Sequence, residues 1–176
     1  DLTTWYAGLC DKLQSLLGSQ NAVSGPFFNF SAVEPTGVVA VVAPDGPSLA
    51  GLFATMLPVV CSGNAAIVLV SEAAPLPGLA LGELLAVSDV PAGAINLLSG
   101  LREELEPQIA SHRDVDGILH HGAPSRVIGE AAADSVKRVR YANRTAEQWS
   151  KIKDAKSLLW VEPFVELKTF WHPVAY

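Results

Sequence analysis

The chain has 176 residues, 49% of them hydrophobic and 17% charged, with a net charge of −6 and a pI near 5.1. That length suits one domain with a small appendage and ample core material, and the acidic balance excludes nucleic acid and an anionic membrane surface as default partners. No apolar run reaches the length needed to cross a bilayer, and no signal-peptide pattern opens the chain.

Residues 2–17 place Leu2, Trp5, Leu9, Leu13, Leu16 and Leu17 on one stripe, which predicts a single helix ended by Gly18. Residues 26–33, PFFNFSAV, alternate and are aromatic, as in an isolated strand or hairpin arm. The organising stretch is Glu34–Asn64. The β-branched run Val38–Val42 suits a strand buried on both faces. It breaks at Pro44-Asp45-Gly46-Pro47 and resumes as a helix over 48–60, with Ser48 as its N-cap. Gly63-Asn64 then admits a second strand, Ala65–Val70. Strand, tight loop, helix and strand make a βαβ crossover, the seed of a nucleotide-binding sheet.

A helix over 76–87 follows, then a third strand over 94–98. Gly100 opens a helix with Glu103, Glu104 and Glu106 in its first turns, favourable for the helix dipole. A fourth strand is predicted over 115–120, a helix over 124–133 and a fifth strand over 136–141. A polar helix over 144–155 contains Trp149, and residues 164–171 alternate as an edge strand that ends at Pro173. These elements describe a doubly wound α/β domain with terminal extensions. Its parts are an N-terminal helix and arm (1–33), the sheet (34–143), and a bridging helix with a last strand (144–176). Cys10 and Cys61 make no disulfide framework and are expected to be buried reduced thiols of a cytoplasmic protein. The absence of an opening Met marks the chain as a piece of something longer.

The order and wording of these segments resemble the aldehyde dehydrogenase superfamily. WYAGLCDKLQ resembles the helix ahead of its dimerisation hairpin, and EPTGVVAVVAP the strand leading to its coenzyme site. CSGNAAIVLVSEAAPLPGLALGELL resembles the second strand and its helix, VPAGAINLLSG the third strand, IASHRDVDGILHHG the fourth strand and Gly turn, and VELKTFW the C-terminal oligomerisation strand. The resemblance implies a Rossmann-like sheet that would bind NAD. Against that pattern Gly46 stands where the family has an oxyanion-binding Asn, Leu69 replaces a ribose-contacting Lys, and Ala123 replaces the Ser that meets the pyrophosphate. Glu72 and Gly122 are kept, His120-His121 replace Phe-Thr, and Ala142 occupies the position of the general-base Glu. Neither cysteine matches the context of the catalytic nucleophile. The combination resembles the truncated C-terminal unit of the family-16 branch.

These departures lead to the expectation of a domain that is not an enzyme, has no catalytic or metal site, and binds no cofactor. Gly46, Leu69, Glu72, Gly122 and Ala123 would be remnants of a coenzyme site, and a diphosphate near Glu103 and Glu106 would meet like charge. The expected role is dimerisation or scaffolding within a larger protein, with a second copy and the parent's other domains as partners. Phe28, Phe30, Phe164, Leu167, Phe170 and Trp171 are the expected interface residues. The alternatives are the NAD-binding portion of an NAD(P)-dependent aldehyde dehydrogenase whose catalytic domain lies elsewhere, or a protein-binding adaptor. His120 and His121 point to opposite faces of a strand and suit no shared metal. Asp114 and Asp116 are read as turn-end residues, and the tryptophans of the terminal segments fit either core or interface.

Overall fold

The structure, a computed structural model, describes residues 1–174. Two sheets form. The larger is a five-stranded parallel sheet in the order β5-β4-β3-β6-β7, built from β3 (Val38–Val42), β4 (Ala65–Leu69), β5 (Ile95–Leu98), β6 (Gly117–His121) and β7 (Arg138–Ala142). Its central strands are buried on both faces, as their uninterrupted apolar runs require. Helices α3 (Ser48–Cys61) and α4 (Leu76–Ala86) carry the crossovers on one face, and α5 (Arg102–Ser111) and α6 (Arg126–Ala133) those on the other. This is the doubly wound α/β arrangement read from the sequence.

The smaller sheet is antiparallel, in the order β1-β2-β8, with β1 at Ser19–Asn21, β2 at Phe27–Pro35 and β8 at Val165–Pro173. Strand β8 runs the length of β2, from Phe27 opposite Pro173 to Pro35 opposite Val165. The aromatic arm and the last strand therefore pair within one chain, whereas the sequence reading placed residues of both in an interface with a second copy. Ring stacking of Phe30 on Phe170, with centroids 5.0 Å apart, and a 2.9 Å hydrogen bond between Ser31 Oγ and Thr169 Oγ1 fix that register.

Several local expectations give way to longer-range contacts. The first helix is two, α1 (Leu2–Cys10) and α2 (Leu13–Leu17). The break lets Gln14 reach β2, donating from Nε2 to the Ser31 carbonyl at 3.1 Å and accepting the Val33 N–H at 2.9 Å. Ser48 is the first helical residue of α3 and not its cap; extended Pro47 holds the cap position, with no side-chain bond. The bridging helix is also two, α7 (Ala146–Ser150) and α8 (Ile152–Ala155), with Thr145 and Gln148 forming a reciprocal capping box at the start of α7. Cys10, expected inside, is exposed, and Cys61 is partly buried with its thiol pushed up to about 12 by burial and by the nearby Cys10.

Phe164 is the clearest correction to the expected interface. It is fully buried in a 3-10 turn ahead of β8 and packs on Gly117. A Cβ at Gly117 would lie 3.2 Å from Phe164 Cδ1, so the ring seats where a side chain is missing. Asn64 locks the same region, donating from Nδ2 to the Phe164 carbonyl and accepting the Gly37 N–H on Oδ1, each at 2.8 Å. Phe28, Leu167 and Trp171 remain exposed and Phe170 marginally so, while Phe30 is half-buried. Of the tryptophans, Trp149 is core, Trp5 and Trp160 are half-buried, and Trp171 faces solvent.

Candidate functional site

From β3 the chain crosses by α3 to β4 and by α4 to β5, then returns by α5 to β6 on the other side of β3. The winding direction reverses between β3 and β6. In open α/β sheets, ligands bind in the crevice outside the carboxyl ends of the strands at such a reversal. Here the crevice is framed by the loop after β3 (43–46), the loop after β4 (71–73), the first residue of α5, and the turn after β6 (121–123).

Arg102 dominates it. Its guanidinium Nη2 donates to the Ala43 carbonyl at 2.5 Å and to Asp45 Oδ1 at 3.1 Å, while its Nε is buried with no hydrogen-bond partner. Asp45 Oδ1 also accepts from Ser71 Oγ at 3.2 Å, the Glu72 N–H at 2.9 Å and the Ala73 N–H at 3.3 Å. Burial pushes the Asp45 carboxyl up, but these donors outweigh it and hold the group below its ordinary range. Helix α5 has no side-chain cap of its own; the Glu72 carboxylate supplies one, accepting the Arg102 N–H at 2.8 Å.

The two histidines leave β6 on opposite faces, as the strand period requires. His120 Nε2 lies 3.2 Å from Glu106 Oε2, close enough for an ion pair but misaligned for a hydrogen bond. His121 Nδ1 accepts the indole N–H of Trp149 at 3.1 Å. Burial, followed by the nearby Arg102 charge, lowers the His121 pKa, so the neutral ring is favoured. No group of three metal-ligating side chains occurs among the described residues.

The expected remnants do not all meet here. Gly46 and Gly122 border the crevice; Gly122 holds φ at +131°, a conformation that favours glycine, and a Cβ there would lie 3.2 Å from His120 Cε1. Ala123 is exposed beside it. Leu69 is fully buried in β4 and belongs to the core. Glu72 faces the crevice as the cap of α5. Asp116 is structural, its Oδ2 accepting the Val38 N–H at 2.8 Å. Arg102 and Asp45 went unread in the sequence. A signal was present for the first, since residues 13–101 contain no Lys or Arg and Arg102 ends that stretch directly before a helix.

The family model described as the aldehyde dehydrogenase family matches residues 1–147. The chain belongs to the aldehyde dehydrogenase family. Aldehyde dehydrogenase, cytosolic 1 of Elephantulus edwardii is 35% identical over 138 residues, covering 77% of this chain and 27% of the relative. The PnpE structure from Pseudomonas sp. WBC-3, in complex with nicotinamide adenine dinucleotide, matches with a TM-score of 0.72 at 30% identity, over 78% of this chain and 28% of that one. Betaine aldehyde dehydrogenase of Staphylococcus aureus, in complex with NAD+, matches with a TM-score of 0.72 at 26% identity, over 80% and 28%.

Membership in this family overturns two expectations, that the chain is not an enzyme and that it has no cofactor. The curated relatives include aldehyde dehydrogenases, and several matched structures are complexes with NAD. The physical grounds for those expectations also weaken in three dimensions. Glu103 and Glu104 are exposed, Glu106 lies against His120, and the crevice itself presents a cation. A tally of catalytic residues over 27% of a relative's length is no inventory of an enzyme.

Proposed function

We propose that this chain is the NAD-binding portion of an aldehyde dehydrogenase, with the coenzyme at the crevice between the carboxyl ends of β3 and β6. The observation that carries the reading is the Arg102 guanidinium at that position, with a buried Nε that lacks a partner among the described residues. A buried unpaired donor is costly, and a planar guanidinium matches phosphate oxygens. The other residues fit the same ligand. Gly46 permits close backbone approach, and exposed Ala123 adds little bulk. Glu72 keeps one carboxylate oxygen beyond its bond to α5, an acceptor for a ribose hydroxyl.

NAD, when bound, supplies the hydride acceptor for aldehyde oxidation. The residues of this chain bind and orient it, while the nucleophile comes from elsewhere in the protein. Cys61 closes α3 at the far end of the sheet from the crevice, and Cys10 lines the same apolar cavity beneath α1 and α4. No described helix is long and apolar enough to cross a membrane. The two free thiols favour a cytoplasmic setting. As partners we assign the rest of the parent protein and a second copy of the chain.

Calorimetric titration with NAD tests the coenzyme reading. Saturable one-site binding is expected, and heats indistinguishable from dilution at millimolar NAD would sink it.

A further inference from the structure

Four donors converge on one atom at the mouth of the crevice. Ser71 Oγ, the consecutive N–H groups of Glu72 and Ala73, and Arg102 Nη2 all lie within 3.3 Å of Asp45 Oδ1. Ser71 is only 2% exposed, so its hydroxyl is a fixed part of the site, and its Oγ also accepts the Ala74 N–H. Successive backbone N–H groups with a hydroxyl and a guanidinium make the kind of concavity that binds a phosphate oxygen. The Asp45 side chain, in contrast, is 46% exposed and belongs to a surface loop.

We propose that Asp45 is an internal stand-in for a ligand anion. Its carboxylate occupies a preformed phosphate cradle made by Ser71, Glu72, Ala73 and Arg102, and a diphosphate takes the cradle by displacing it. That the diphosphate belongs to a dinucleotide rests on the coenzyme reading above; the exchange of one anion for another does not. Asp45 thereby sets affinity. A half-exposed carboxylate leaves its partners at modest cost, yet its charge opposes every incoming phosphate until it swings out. The Glu72 cap on α5 stays in place throughout, because its bond is to the Arg102 backbone.

The test is titration of NAD and of inorganic pyrophosphate into the chain and its Asp45→Asn and Arg102→Gln variants. The asparagine keeps an acceptor for Ser71 and the two amides but loses the charge. Asp45→Asn should bind both ligands about three- to tenfold more tightly, the scale of one partly screened charge pair. Arg102→Gln should bind both more weakly by a similar factor. On the unmodified chain, pyrophosphate should shift the carbon-13 signal of the Asp45 carboxylate, a readout that needs no variant to fold. If NAD fails to bind any form but pyrophosphate follows this pattern, the coenzyme reading falls and the cradle stands. If NAD binds the unmodified chain and neither ligand responds to Asp45→Asn, or the carboxylate signal stays fixed, the cradle is overturned and the coenzyme reading survives. An absence of pyrophosphate binding to every form also overturns it.

Discussion

Gly117 and Phe164 form a single packing unit at the start of β6. The ring fills the space over the glycine, with its Cε1 3.3 Å and Val39 Cγ2 3.4 Å from where a Cβ would be. Gly117→Ala must push a fully buried ring or a core valine aside and should cost about 1–3 kcal/mol. Phe164→Ala empties the same volume and should cost about 3–5 kcal/mol. Urea denaturation of both variants checks this, and midpoints equal to that of the parent would refute the shared unit. The sequence hid the pairing for a definable reason. Phe164 lies in phase with Glu166, Lys168 and Phe170, so a period of two assigns it to their face. The 3-10 turn Glu162–Phe164 breaks that phase just before the strand begins, and turn geometry of this kind leaves no mark on an alternating pattern.

Among the elements, β8 has one edge satisfied by β2 and the other open among the described residues. A nine-residue edge that carries exposed Leu167 and Trp171 invites strand addition. Phe28, Leu167 and Trp171 are the most exposed of the expected interface side chains and the ones a second copy would cover. Lys168 pairs with Glu34 of β2 and Glu166 with Arg138 of β7, both within the chain, so these charges do not demand a partner. A two-fold pairing of β8 with itself is the expected assembly. Analytical ultracentrifugation at tens of micromolar should show a dimer that Leu167→Lys with Trp171→Lys converts to monomer. A parent chain that sediments as a monomer would remove this partner. The central strands β3 and β4 were legible because each is an apolar run that follows a Gly or Asn. The breaks within the first and bridging helices were not, because they depend on Gln14 reaching β2 and on Trp149 reaching His121.

At the scale of the molecule, the doubly wound sheet and hence the place of the crevice follow from the order of strands and helices. Its chemistry does not. The cradle and its occupant join residues 45, 71–73 and 102, segments that local pattern treats separately. The same distant joining governs the ends of the chain. Tyr6 Oη donates to the Ala155 carbonyl at 2.7 Å across 149 positions, and Asn64 reaches Phe164 across 100. Contacts of such sequence separation raise the contact order, and folding slows as it rises. During synthesis α1 can pack on α3 early, but the Tyr6 hydroxyl waits for its acceptor until residue 155 has left the ribosome. The face of α3 that α7 later covers is meanwhile open to chaperones and to neighbouring nascent chains. Refolding followed by tryptophan fluorescence should accordingly lack a submillisecond phase that recovers native burial of Trp149, and one that recovers the full signal would show that the ends are not what completes the core.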